Sequence, residues 1–257
     1  MVRNLFWSRP PGGRRSSGPP RSANGASSFH LWWRMPPSAP LVEVSCVLEV
    51  LGAPLVERLY FWALQVDFVD EHATTGGGHT GLQRNPRFPG STAVNWGGYA
   101  ARELGGDILP GSSSELPGFA DDPNTRGYPW GFSRPYRLRV LRSPDRAGAW
   151  RAEITDVLSD KTSLIRELLG GGTYLSAPVV WCEAFADCDA PSVTARWRDL
   201  KAVDSQGAKV APVGVQVNYQ SLGAGGCSNT TVLLEGGSVL QVTGVPRTVQ
   251  QGTFLHL

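Results

Sequence analysis

Two stretches of this chain alternate strictly between two kinds of side chain. From Leu41 to Val50, the residues Val42, Val44, Cys46, Leu48 and Val50 fall on one face, and Glu43, Ser45 and Glu49 on the other. From Leu59 to Val69, Tyr60, Trp62, Leu64, Val66 and Phe68 line up against Phe61, Ala63, Gln65 and Asp67. A period of two places successive side chains on opposite faces of a pleated strand, whereas a helix would scatter them around its circumference. Both segments therefore read as strands with the first-named set turned toward a core.

The same signal recurs along the chain. His79–Gln83, Thr92–Tyr99, Tyr136–Val140, Trp150–Val157, Val179–Phe185, Val193–Leu200, Val213–Gln220 and Ser238–Thr243 all read as strands. Lys161–Leu169 has some helical character, but Thr and Ser open it and a glycine triplet follows it. Separated from Trp150–Val157 by a turn, it reads better as the second arm of a hairpin. Gly and Pro are plentiful and charged residues make up only 18% of the chain, which suits many strands joined by turns. The expectation is an all-β protein, a two-sheet antiparallel β-sandwich of jelly-roll or lectin-like type.

Residues 1–28 stand apart, with Arg3, Arg9, Arg14, Arg15 and Arg21 among Pro, Gly and Ser and no acidic residue. They read as a disordered basic tail or as the product of a start codon placed too far upstream. A single domain is expected over 29–257. Between Ala100 and Gly131 no periodicity survives, and a long loop is expected there. Without the five tail arginines the chain holds 19 basic against 22 acidic residues, which leaves no nucleic-acid footprint. No apolar run approaches the ~20 residues of a membrane span. Leu5-Phe6-Trp7 is too short for the apolar part of a signal peptide, so the compartment, secreted or cytoplasmic, stays open.

Several segments carry a resemblance. His30-Leu31-Trp32-Trp33, the alternating Leu41–Val50 strand, Tyr60-Phe61-Trp62-Ala63, Gly78-His79-Thr80-Gly81-Leu82-Gln83, Asn95-Trp96-Gly97-Gly98, Tyr128-Pro129-Trp130 with Tyr136-Arg137-Leu138-Arg139-Val140, and Trp181-Cys182-Glu183-Ala184-Phe185 follow one another in order. This order resembles a bacterial domain family of unknown function, and the resemblance implies a lectin-like or jelly-roll sandwich. It carries no catalytic residues across.

Flat aromatic faces stack on sugar rings while neighbouring amides read hydroxyl groups. Trp96 and Trp130, beside Gly and Pro near the long loop, are the candidates for such stacking, with His79, Gln83 and Asn95 as polar neighbours. The same tryptophans fit equally into the space between two sheets. Gln216, Asn218 and Gln220 form a polar stripe that is either a ligand face or a solvated one. The function read from these residues is a carbohydrate-binding-like or structural module with a glycan partner. The alternative is a carbohydrate-active enzyme of glycoside hydrolase type, with Glu183 as acid and Asp67, Glu153, Asp187 or Asp189 as second carboxylate. Glu183 would otherwise pair with Arg137, Arg139 or Arg196. Asp121, Asp122 and Asn124 offer oxygen ligands to calcium but lack an ordered spacing, so no cofactor is expected. Among four cysteines there is no Cys-x-x-Cys pair; Cys188 and Cys227 are candidates for a disulfide, and Cys46 for the core.

Overall fold

The computed structural model describes residues 16–71 and 73–257. The strands are β1 (Ser27–Arg34), β2 (Leu41–Val50), β3 (Tyr60–Val69), β4 (Thr74–Arg84), β5 (Thr92–Ala100), β6 (Gly118–Phe119), β7 (Asp122–Gly127), β8 (Tyr136–Arg142) and β9 (Trp150–Asp156). They continue as β10 (Lys161–Leu168), β11 (Tyr174–Ala184), β12 (Thr194–Asp204), β13 (Lys209–Val210), β14 (Gly214–Tyr219), β15 (Thr230–Glu235), β16 (Ser238–Thr243) and β17 (Phe254–His256). No helix among the described residues is long and apolar enough to cross a membrane.

All pairings between these strands are antiparallel, and they make a two-layer sandwich. One layer runs β17-β14-β1-β11-β3-β4-β5-β7-β6. The other runs β15-β16-β12-β2-β8-β9-β10, with β13 beside the far end of β12. A single pairing, Leu175 with Leu41, joins the layers along one side. Between them lies one apolar cluster drawn from both inner faces, among them Leu31, Cys46, Trp62, Phe68, Trp96, Leu138, Trp150, Trp197 and Val217. The alternation that predicted β3 therefore describes its inner face correctly. On β2 the pattern slips at one end: the register against β12 shifts between Val203 and Asp204, so Leu41 is buried and Val42 is not.

Close approach of the two neighbouring strands, β3 and β5, explains the glycine-rich β4. A Cβ on Gly78 would lie 2.7 Å from the Trp96 ring and 2.8 Å from Phe68. One on Gly81 would lie 1.9 Å from the Trp62 carbonyl oxygen. These glycines mark places where neighbouring groups approach too closely for any side chain.

Two boundaries differ from expectation. Residues 16–26 are not part of a loose tail but run along the molecule and are held there: Arg21 N–H donates to Gly225 O, and Cys188 N–H to Gly18 O. The remainder of the expected tail, residues 1–15, lies outside the described residues, as does His72. The 100–131 segment is not a plain loop, because Asp122–Gly127 pairs with β5 as strand β7. Composition hid both, since backbone pairing asks nothing of apolar side chains when a strand lies at an edge.

Candidate functional site

The two outward faces of the sandwich have opposite chemistry. On the β2–β8–β9–β12 side, charges lie in pairs: Arg139 bridges Glu43 (2.6 Å) and Glu153 (3.2 Å), and Arg196 bridges Glu49 (3.1 Å) and Glu235 (3.0 Å). That is a solvated, self-satisfied surface. The outward face of the other layer is rich in aromatic rings and amides, with Glu183, Asp67 and Arg34 as its charged side chains around an apolar centre.

Register lays that second face out in rows across β14, β1, β11, β3 and β4. One row reads Gln220, Ser28, Glu183, Phe61, Gln83, and the next Asn218, His30, Trp181, Ala63, Gly81. A third reads Gln216, Trp32, Val179, Gln65, His79. At the centre Phe61, Ala63, Val179 and Trp181, with Trp32 against them, make an apolar cluster separate from the core. His30 and His79 flank Trp181 at ring-centroid distances of 6.2 and 5.6 Å, and Phe61 meets it edge-on at 4.8 Å. Burial pulls both imidazoles down to about 4, so they are neutral, uncharged hydrogen-bonding groups near pH 7. Burial also raises the Asp67 carboxyl above its ordinary value.

The amides around this centre are only partly used. Gln65 Oε1 accepts from Trp181 Nε1 at 3.0 Å, Gln216 Nε2 donates to Gly252 O at 3.3 Å, and Asn218 Oδ1 accepts from Gln251 Nε2 at 2.6 Å. Gln65 Nε2, Gln216 Oε1 and Asn218 Nδ2 remain available.

The residues expected from sequence divide between this face and the interior. His79 lies on the face. Gln83 and Asn95 also point that way but are buried, Gln83 taking a bond from Asn85 and Asn95 giving one to Thr125 at 3.1 Å. Trp96 and Trp130 are interior: they are 0% and 5% exposed, and their indole N–H groups donate to Trp150 O and Gln83 O. No sugar can stack on them. The glycines after Trp96 instead leave room for the Asn124 side chain over Gly97 and for the β4 backbone at Gly77 beside Gly98.

Glu183 is outward, not on an apolar inner face. It is covered by no arginine; its Oε1 accepts from Ser28 Oγ at 3.0 Å and Asn24 Nδ2 at 3.3 Å. Its strand partner is Phe61, and Asp67 lies six residues further along β3. At the rise of a strand that is about 20 Å, far beyond the ~5–9.5 Å between glycosidase carboxylates. Glu153 belongs to the other layer, and Asp189 is engaged by Gly18 N–H.

The calcium candidates do not converge either. Asp121 pairs with Arg87, Asp122 accepts from Thr125 Oγ1 and two backbone N–H groups, and the Asn124 side chain lies over Gly97. Among the described residues no three His, Cys, Asp or Glu side chains are grouped to hold a metal. Cys188 and Cys227 are joined in a disulfide, while Cys46 and Cys182 are buried free thiols.

Sequence reasoning missed His30, Trp32, Gln65 and Trp181 as one site. Gln65 was visible as an outward position on β3, but 27–34 was not read as a strand, and only the pairing order places β1 beside β11 and β11 beside β3.

No family model matches the chain, and no curated protein matches it by sequence. Among solved structures it is similar to SCP-B, a member of the eqolisin family of peptidases, in complex with the tripeptide Ala-Ile-His. The TM-score is 0.45 at 9% identity, over 84% of this chain and 97% of that one. A scytalido-glutamic peptidase with a peptide-based transition-state analogue gives a TM-score of 0.45 at 8% identity over the same shares. With Trp96 and Trp130 inside and Asp67 about 20 Å along β3 from the partner of Glu183, the expectation of a glycan module, or of a glycoside hydrolase built on Glu183 and Asp67, is corrected.

Proposed function

We propose that the outward face formed by β14, β1, β11, β3 and β4 binds an extended polypeptide segment. The observation that carries this reading is the second apolar cluster around Trp181, set outside the core and ringed by free amide groups and neutral imidazoles. An extended chain presents one N–H and one C=O per residue, with side chains alternating to either side. Side-chain amides match the first requirement, because each offers donors and an acceptor. The aromatic floor matches the second, taking apolar side chains without demanding one sequence. The centre of this face, around Trp181, carries no charged side chain, which favours a neutral backbone over a charged polymer there.

The test is fluorescence polarisation with a synthetic pool of unstructured decapeptides. Binding is expected, weakened several-fold by Gln65→Ala or Asn218→Ala and unchanged by Arg139→Ala on the opposite face. Binding that ignores the first two changes, or no binding, overturns the reading.

Asp67 favours a second, more demanding reading in which the bound segment is also hydrolysed. Water would add across the amide, its oxygen to the carbonyl carbon and a proton to the departing nitrogen, with a protonated Asp67 polarising the carbonyl oxygen. Burial keeps that carboxyl protonated to higher pH than usual. Cleavage of the pool at acid pH, abolished by Asp67→Asn with binding intact, supports it. Intact peptides after prolonged incubation leave a binding face alone.

A further inference from the structure

Resting on that polypeptide-binding reading, we infer that the groove beside Trp32 and Arg34 selects segments in which an aromatic residue and a carboxylate are two positions apart. The groove holds about 520 Å³ and is lined by Trp32, Arg34, Ala177, Gln216, Asn218 and Gln251 among others. It exists because two neighbours of β1 behave differently. On one side β14 stays paired through Arg34 with Gly214. On the other side β11 pairs only as far as Val179 with Trp32, because Ala177-Pro178 interrupts the strand. Pro178 has no N–H to give, and the bulge throws the chain outward. Ala177 adopts a left-handed conformation (φ 47°), unusual for a residue with a Cβ and a form of strain that clusters at ligand sites.

The chemistry inside the groove is asymmetric. The half-buried Trp32 gives it an apolar wall, continuous with the cluster at Trp181. Arg34 is exposed and its guanidinium has no ion-pair or hydrogen-bond partner among the described residues, and no carboxylate lines the groove. Trp32 and Arg34 are two residues apart on one strand, so their side chains share a face about 7 Å apart. An extended ligand repeats with the same period. An aromatic side chain on Trp32 therefore carries the residue two positions away to Arg34, where a carboxylate completes the charge. The groove opens onto the sheet face, so the occupant is a chain passing through, with an acidic side chain rather than a chain terminus.

The experiment uses labelled peptides with a symmetric centre, which removes the question of chain direction. Asp-Gly-Phe-Gly-Asp is compared with the corresponding Asn, Lys and Asp-Gly-Ala-Gly-Asp versions, all with amidated ends. On the unaltered protein the Asp-Phe-Asp form is expected to bind about threefold more tightly than the Asn form, the size of an exposed ion pair. It should exceed the alanine form by about tenfold, as for loss of an aromatic anchor. Arg34→Glu should reverse the order so that the Lys form binds best, with thermal stability unchanged because the Arg34 guanidinium touches no partner. Equal binding of all four peptides, or a preference that survives Arg34→Glu, overturns the inference while leaving the polypeptide-binding reading intact. Failure of every peptide removes both.

Discussion

The indole N–H of Trp181 on β11 donates to Oε1 of Gln65 on β3 across 3.0 Å, although the two are not register partners. Trp181 stands opposite Ala63, and Gln65 opposite Val179. The bond is thus diagonal, crossing the apolar cluster it borders. By occupying Oε1 it fixes the amide so that Nε2 is presented outward as a donor. Trp181→Phe keeps most of the ring and removes the bond. Urea denaturation should show a loss of about 1 kcal/mol, the ordinary worth of a hydrogen bond, and peptide affinity should fall with it. Unchanged affinity would mean that the orientation of Gln65 is irrelevant to binding.

His30 and His79 give the fold a pH dependence whose sign is fixed. Both titrate near 4 in the folded protein against an ordinary 6.5, so between those values the unfolded chain binds more protons. Their contribution is complete above about pH 6.5 and is lost as pH falls toward 4, by at most ~1.4 kcal/mol per pH unit for each histidine. Asp67 acts oppositely, since its raised value favours the folded state as pH falls through the range above 3.8. With two imidazoles against one carboxyl, denaturation midpoints should decline from pH 6.5 to 4. His79→Gln should flatten that decline, and a slope unaffected by the change would place the titrating groups elsewhere.

The Cys188–Cys227 bridge closes a loop of 39 residues in sequence separation. It also sits where residues 16–26 are held, through Cys188 N–H on Gly18 O and Asn229 Nδ2 shared between Ser16 O and Cys188 O. Loop-closure entropy puts its loss at about 4 kcal/mol. Paired Cys188→Ser and Cys227→Ser changes should therefore lower stability by that order and make residues 16–26 the first site of limited proteolysis. Thiol titration in denaturant should find two free groups without reductant and four with it.

Trp96→Ala separates the interior tryptophans from those on the face. Trp96 is fully buried, packs edge-on against Phe68 at 6.0 Å and donates to Trp150 O. Its truncation should cost about 3–5 kcal/mol and leave peptide binding by the surviving folded protein unchanged. Trp32→Ala, on the half-buried outer side of β1, should show the reverse: little change in stability and a clear loss of affinity.

Much of the fold was legible because period two is a strong signal wherever one side of a strand is core. The inner set on β3, from Tyr60 to Phe68, could be read directly. What stayed hidden lay where that contrast fades. β1 alternates Phe29, Leu31 and Trp33 against His30 and Trp32, and both faces are aromatic enough to mask the period. β7 is built from Asp, Pro, Asn, Thr and Arg at a sheet edge and carries no apolar pattern at all. The site was hidden for a different reason. Its members lie on five strands whose order in the sheet is not their order in the chain. Neither the meeting of Trp181 with Gln65 nor the gap beside Ala177-Pro178 has a local sequence signature.

The central claim is that the aromatic face around Trp181, and not the ion-paired face around Arg139, meets an extended polypeptide. Side-chain amide and imidazole NMR resonances, followed as the decapeptide pool is added, test it most directly. Shifts concentrated at His30, Gln65, His79, Gln216 and Asn218, with Arg139 and Arg196 unmoved, are the expected result. Shifts centred on the opposite face, or none at millimolar peptide, would contradict it.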